Sequence, residues 1–303
     1  MQSSRISVVS IVIPTYNRLW GLKDCIASIQ AQDFVDWEVI VMDDAGTEPV
    51  GEFIASLQDH RIKYFRQEVN VGVARNWADG IMKAQSPYLC ILMDDDWYQT
   101  NFLSNRVEIF TKNPNVGMVY GPYFRSDPAT GSRRLVSNKF SGYLTNRELQ
   151  KAAVTRDCFV GACMYRVNFV KEILGEAVGF GLIIDYAINL LPVIKAPIEG
   201  FVLTDPHFFY REHEATLSNT RAKEVWEMSY RFLSHIKRIA KVGLDSISHE
   251  IFHQALCASR GSNDRPRRVR WAVRAICAQP FHYSGYVRLL KASIFSDFFS
   301  NKF

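Results

Sequence analysis

The first 124 residues repeat one pattern: a short apolar run rich in β-branched residues, a turn, then an apolar stripe at helical spacing. Val8–Pro14 is followed by Leu22, Cys25, Ile26 and Ile29. Glu38–Met42 ends at Asp43-Asp44 and the turn residues Ala45-Gly46-Thr47, and Phe53–Leu57 fits a short helix. Ile62–Phe65 precedes Ala74, Ala78, Ile81 and Met82. Tyr88–Met93 precedes Leu103, Val107 and Phe110, and Val116–Phe124 is strand-like again. Continuous apolar runs suit strands covered on both faces, and their alternation with helices calls for right-handed crossovers. The expected fold class is α/β, with a mixed, mainly parallel central sheet flanked by helices.

Where these strands end, carboxylates collect. Asp94-Asp95-Asp96 follows Tyr88–Met93 directly, and open α/β sheets place ligands at the carboxyl ends of their strands. Hard divalent cations take oxygen ligands, commonly one or two carboxylates plus substrate phosphates. The triplet therefore suggests a metal–diphosphate site. Asp43-Asp44 stands at a second strand end, where capping and turn chemistry is the plainer reading.

Four segments then fall in order: VSIVIPTYNR (Val9–Arg18), VIVMDDAGT (Val39–Thr47), NVGVARN (Asn70–Asn76) and LCILMDDDW (Leu89–Trp97). Together they resemble glycosyltransferase family 2, the inverting enzymes of GT-A (Rossmann-like) fold that use nucleotide-diphospho-sugars, in its bacterial surface-polysaccharide form. The resemblance covers about residues 7–217. It implies a catalytic domain over 1–219, with a nucleotide-sugar-binding half (1–124) and an acceptor-side half (125–219). The resemblance puts Pro14, Thr15, Tyr16 and Arg18 around the nucleoside. It assigns base recognition to Asp44 more than Asp43, because a carboxylate accepts the imide N–H of uracil; thymine offers the same imide. Arg75 would meet the nucleotide or its diphosphate at a helix N-terminus. Asp94 would face the ribose and sugar, and Asp95 would ligate Mn2+ or Mg2+. Asp96 would be a second ligand or lie behind the first. FYREHEATLS (Phe209–Ser218) resembles the family's late Arg-x-His element, with His213 completing the metal or pyrophosphate shell and Arg211 neutralising phosphate.

Asp185 lies in the apolar, helical segment Leu182–Val193, where an uncompensated carboxylate is costly to bury. On its own it reads as a helix N-cap; the resemblance makes it the catalytic base. Residues 125–150 are polar and turn-rich and read as a surface excursion, and Cys158–Tyr165 and Phe201–Thr204 as short strands.

The last quarter differs in kind. Residues 220–303 hold 15 Lys/Arg against 6 Asp/Glu, leaving 21 against 25 in the rest. The pattern there is helical, over about 221–241, 245–259, 264–278 and 284–299. Val269, Ala272, Val273 and Ile276 form one stripe, with Arg267, Arg270 and Arg274 on another face; Val287, Leu290, Ile294 and Phe298 form a second, near Lys291. With Trp271, Phe281, Tyr283, Phe295 and Phe299, these basic amphipathic segments suit either the surface of an anionic membrane or packing on protein. No apolar run reaches the ~20 residues of a membrane span. The N-terminus runs straight into a strand pattern without an apolar leader. The expected location is therefore cytoplasmic, or peripheral on the inner face of the cytoplasmic membrane. The six cysteines include no CxxC pair and read as free buried thiols.

The expected activity is a metal-dependent transfer of sugar from a nucleotide-diphospho-sugar, UDP-linked by first choice, to a glycan or lipid-linked glycan. Two other readings stand beside it. A sugar nucleotidyltransferase would need a Gly-rich, Lys-bearing triphosphate loop, which Tyr16–Gly21 does not provide. A non-catalytic sugar-binding scaffold would have no use for the carboxylate set. Nucleic acid is not an expected partner, since no recognised module is present.

Overall fold

The computed structural model describes residues 6–127, 129–213, 220–240, 244–260 and 270–275. Two compact units divide after His213. In the first, β1 (Val9–Thr15), α1 (Leu19–Gln30), β2 (Trp37–Asp43), α2 (Val50–Ser56), β3 (Ile62–Arg66), α3 (Val73–Lys83) and β4 (Tyr88–Ile91) alternate as the hydrophobic periods require. β1 pairs in parallel with β2 and β4, and β2 with β3. Every residue of β1 and β2 is buried, which is why both runs lack polar alternation. Gly80 lets α3 lie close on the sheet: a Cβ there would come within 2.7 Å of Val12 and Met42 side-chain carbons.

Pro14 lies inside β1, opposite Met42, rather than ending it. β4 stops opposite Val12, so at Pro14 the strand has a ladder neighbour on one side only, a position that tolerates a missing N–H.

After β4 come the two-residue strand β5 (Trp97–Tyr98), α4 (Phe102–Lys112) and β6 (Val116–Tyr120). The expected single strand Val116–Phe124 is in fact two. Gly121-Pro122 breaks it, and β7 (Tyr123–Asp127) belongs to a different sheet. Residues 125–150 are likewise more than an excursion. They contain β8 (Ser132–Val136), which forms a hairpin with β7, then β9 (Gly142–Leu144) and α5 (Asn146–Val154). α5 starts at a capping box in which Thr145 and Glu148 satisfy each other's backbone N–H groups. In 158–165 only the end is strand: a 3-10 turn over Val160–Ala162 leads into β10 (Met164–Arg166). Two short helices, α6 (Val167–Lys171) and α7 (Leu174–Ala177), then a 3-10 segment Val178–Ile183, lead into α8 (Ile184–Lys195). β11 (Glu199–Val202) and β12 (Phe208–Arg211) close the unit.

The large sheet runs β3-β2-β1-β4-β10-β6-β11-β9, and a small one runs β5-β12-β7-β8. β10 is antiparallel to both its neighbours. Leu174–Lys195 is long and apolar enough by composition to span a membrane, contrary to the sequence expectation. It is 61% buried and bent at Gly181 (φ 54), as befits a core segment. Cys25, Cys90, Cys158 and Cys163 are free and buried, and Cys257 is free and half-buried.

The second unit contains α9 (Ala222–Ile239) and α10 (Leu244–Arg260), packed together, and a helical stretch over 270–275. Trp271, Ala272 and Ala275 are buried there with Phe252 and Ala255, against Trp226 and Tyr230. Val273, placed by the sequence on the apolar stripe, is exposed instead. Trp271, counted among residues for a membrane face, packs edge-on to Tyr230 at 4.9 Å. The bulky indole wins the interior because it removes more apolar area from water than valine does. The expected stripe Val287, Leu290, Ile294 and Phe298, the positions Val269, Ile276, Arg267, Lys291, Phe281, Tyr283, Phe295 and Phe299, and Cys277 lie outside the described residues.

Candidate active site

The carboxyl ends of β1, β2 and β4 lie at one edge of the large sheet, and the first two carry turns locked by polar side chains. Asn17 takes a left-handed backbone (φ 53) and its Oδ1 accepts the Thr47 N–H at 2.6 Å. That bond ties the β1–α1 turn to the β2–α2 turn. Asp44 accepts the N–H groups of Val71 and Gly72 at 2.7 and 3.0 Å. It thereby clasps the Asn70-Val71-Gly72 loop that opens α3. Asp43 accepts from the Gly46 N–H, the Tyr64 hydroxyl and Arg66 at 2.8, 2.7 and 3.0 Å. Both carboxylates of this pair therefore brace loops. Arg75 is exposed and pairs with Asp79 one turn along its own helix, at 2.9 Å. Tyr16 and Trp20 are each half exposed at this edge.

The acidic triplet forms a turn between β4 and β5. Its three carboxylates are 3%, 6% and 0% exposed. Gly21 admits α1 to this turn: a Cβ there would lie 2.7 Å from the Asp94 carbonyl oxygen. Arg18 reaches across and donates to Asp94 Oδ1 at 3.0 Å and Asp95 Oδ2 at 3.1 Å. Burial pushes Asp94 up to about 6, against the pull of Arg18 and helped by repulsion from Asp95. Burial and then Asp95 also raise Asp96 well above the usual carboxylate range. Burial opposes the Arg18 charge, but the adjacent carboxylates outweigh it and hold the guanidinium more firmly protonated.

β12 delivers the remaining groups. It pairs with β5, Phe209 opposite Trp97, so the residues after it arrive at the triplet from 115 positions downstream. The Arg211 N–H donates to Asp96 Oδ1 at 2.8 Å, and its Nε to the Asp95 carbonyl at 2.8 Å. Its guanidinium also pairs with Asp24 at 2.7 Å and lies 4.8 Å from the Trp97 ring. Arg211 thus braces the turn. His213 Nε2 is 2.8 Å from Asp95 Oδ2, and Trp20 meets the imidazole edge-on at 6.0 Å. Of the positions implied by the resemblance, Arg18, Asp94, Asp95, Asp96, Arg211 and His213 come together in one cluster. Pro14, Thr15, Asp43 and Asp44 line the neighbouring strand ends.

Asp185 stands on another element, the first turn of α8, two residues past the N-cap Ile183. It is half-buried, and burial raises it above its ordinary value while Arg156 pulls it down. The kink at Gly181 precedes it, in a segment packed against α3.

Among the described residues no group of three or more His, Cys, Asp or Glu side chains is poised on one point to hold a metal ion. The donor set nevertheless fits a hard cation that completes its shell from a ligand. Asp95 and His213 already meet at one oxygen, and Asp96 Oδ2 is buried without a hydrogen-bond partner.

Residues 10–174 match the family model described as Glycosyl transferase family 2. The chain belongs to this family. Family relatives include the putative colanic acid biosynthesis glycosyl transferase WcaA of Escherichia coli, 35% identical over 99 residues, 32% of this chain and 36% of that one. A Campylobacter jejuni protein, GalNAc(5)-diNAcBac-PP-undecaprenol beta-1,3-glucosyltransferase, is 37% identical over 103 residues, 33% of each chain. The matches span about a third of the length of these curated relatives. The fold resembles that of Staphylococcus aureus TarS 1-349 in complex with UDP-GlcNAc. That likeness has a TM-score of 0.69 at 14% identity and covers 89% of this chain and 81% of that one. The GT-A architecture expected of a family member, a mainly parallel central sheet with flanking helices, is thus present.

Sequence reasoning placed Arg18 near the nucleoside and missed its contact with the acidic turn. It also missed Gly21, Trp20 and Asp24 as supports. Arg18 and Gly21 meet the triplet across more than seventy residues, and no local pattern signals such a contact.

Proposed function

We propose that the protein is an inverting, metal-dependent glycosyltransferase that moves a sugar from a UDP-sugar to a hydroxyl of a glycan or lipid-linked glycan. The observation that carries this is the convergence of Arg18, Asp94, Asp95, Arg211 and His213 on one buried turn at the ligand-binding edge of the sheet. Family membership favours glycosyl transfer over nucleotidyl transfer or a scaffold role. The donor choice draws support from the likeness to a fold solved with UDP-GlcNAc. Asp95 and His213, with Asp96 behind them, are the residues to hold Mn2+ or Mg2+. A divalent ion there supplies positive charge to a leaving diphosphate. A structural neighbour, a Pyrobaculum calidifontis mannosyltransferase, was solved with GDP-Man and Mn2+ (TM-score 0.55).

In this reading Asp94 faces the ribose and sugar, and Tyr16 packs against the base. Arg75 and Arg211 offset phosphate charge. Asp185 accepts the proton of the acceptor hydroxyl as its oxygen attacks the anomeric carbon. One in-line displacement inverts that centre, and the nucleoside diphosphate departs. A lipid-linked acceptor is proposed by analogy with the undecaprenol-linked substrate in the Campylobacter relative's name. The basic excess of residues 220–303 suits an anionic membrane surface.

The test is release of UDP from a panel of UDP-sugars, with and without a diphospholipid-linked glycan, in Mn2+ and in EDTA. Acceptor- and Mn2+-dependent release, abolished by Asp185→Asn, is expected. Release unaffected by EDTA and by Asp185→Asn would remove both the metal and the base.

A further inference from the structure

We infer that Arg18 is an exchangeable internal counter-ion that couples cation binding to diphosphate binding at the acidic turn. The inference rests on the donor-site reading above and adds a coupling between its two ligands. One oxygen, Asp95 Oδ2, has two partners: Arg18 Nη1 at 3.1 Å and His213 Nε2 at 2.8 Å. The same Nη1 also holds Asp94 Oδ1 at 3.0 Å. A divalent cation at Asp95 must therefore displace the guanidinium or share an oxygen with it against charge repulsion. Histidine can shed a proton and stay as a neutral ligand, but arginine cannot be neutralised in a protein. Arg18 has to move.

The local structure lets it move. Its side chain is 28% exposed, against 4% and 8% for the two carboxylates it holds. The backbone stays fixed, because the Arg18 carbonyl accepts the N–H groups of Gly21 and Leu22 at 3.1 and 3.0 Å and Asn17 is tied to Thr47. The side chain can swing while the turn remains. A diphosphate offers the guanidinium a better, two-pronged partner than two separate carboxylate oxygens. The exchange keeps the triplet compensated in both states: by Arg18 when empty, by the divalent ion when Arg18 has gone to the phosphates. Cation alone then binds weakly, and cation with diphosphate binds tightly. By linkage each ligand strengthens the other by the same factor.

The test is the Mn2+ dissociation constant, read from the EPR signal of free Mn2+, with and without UDP, for the full chain and for Arg18→Gln and Arg18→Lys. The wild type is expected to bind Mn2+ at least about tenfold more tightly with UDP than without. Arg18→Gln is expected to bind Mn2+ alone about tenfold more tightly than the wild type and to lose most of the coupling. Arg18→Lys keeps the charge and should retain part of it, which also covers the case in which Arg18→Gln fails to fold. The inference is overturned if folded Arg18→Gln binds Mn2+ alone no better than the wild type. It is equally overturned if Arg18→Lys, the only folded variant, matches the wild type in both constants. If the wild type binds no Mn2+ even with UDP, the donor-site reading itself falls and takes the inference with it.

Discussion

Asp43-Asp44 and Asp94-Asp95-Asp96 close two strands that flank β1 at the same edge of the same sheet, and both are buried. In the first pair each carboxylate oxygen already accepts a hydrogen bond, from Gly46, Tyr64 and Arg66 or from Val71 and Gly72. The triplet has three carboxylates to compensate with one guanidinium, one imidazole and the backbone N–H of Arg211. Among the described residues the fully buried Asp96 Oδ2 is left without a partner, and Asp94 and Asp96 are held above the usual carboxylate range. Acids at strand ends are therefore not one signal. Where local donors saturate them they hold loops. Where charge is left over, they remain under-compensated.

The largest effect should come from neither turn. Asp185→Asn is expected to cut turnover by roughly 10²–10⁴-fold while leaving UDP affinity unchanged. Nucleotide binding and steady-state kinetics on one preparation check this; turnover within a few fold of wild type would reassign the base.

Next, Asp95→Ala should abolish the Mn2+ dependence of UDP binding, a loss on the order of 100-fold, whereas Asp44→Asn should leave that dependence intact. Calorimetric titration with and without Mn2+ compares the two. An equal loss of Mn2+ dependence in both variants would erase the distinction between the turns.

A third effect is on stability against pH in EDTA. Asp94 rises from an ordinary 3.8 to about 6 on folding, so the folded chain binds more protons than the unfolded one between those values. This group's contribution is fully present below about 4 and is lost as pH rises through about 6. It amounts to on the order of 1–3 kcal/mol. Urea denaturation at a series of pH values should show that fall and its flattening in Asp94→Asn. An unchanged slope in the variant would mean the turn is not under-compensated.

An effect of similar size, confined to stability and not dependent on pH, belongs to the saturated pair. Asp44→Asn turns an amide N–H₂ toward a backbone N–H, and stability should drop by about 1–3 kcal/mol. Chemical denaturation measures it, and no loss would mean the clasp on Val71 and Gly72 is idle.

Much of the fold was legible because β1 to β4 are covered on both faces, so their apolar runs carry the assignment without help. The small sheet was not, because its register depends on Phe209 meeting both Trp97 and Phe124, contacts that no window along the chain contains. One local signal was there to be read: Thr145-x-x-Glu148 is a capping box and marks the start of α5. In the second unit the periodicity was real but the face was misjudged, since Ala272 belongs to either stripe and Trp271, not Val273, turned inward. At the candidate site the residue types at the strand ends were legible. The engagement of Asp44 by the Val71–Gly72 loop and of Arg18 by Asp94 and Asp95 depends on three-dimensional proximity alone.

The most direct test of the triplet as a donor and metal site is thermal stabilisation by UDP, dTDP, GDP, CDP and ADP, each with and without Mn2+. The account predicts a shift with UDP that requires Mn2+, worth about 2.7 kcal/mol at ~100 times the dissociation constant, and absent in Asp95→Ala. No shift with any nucleotide in Mn2+, or an equal shift in EDTA, would contradict it.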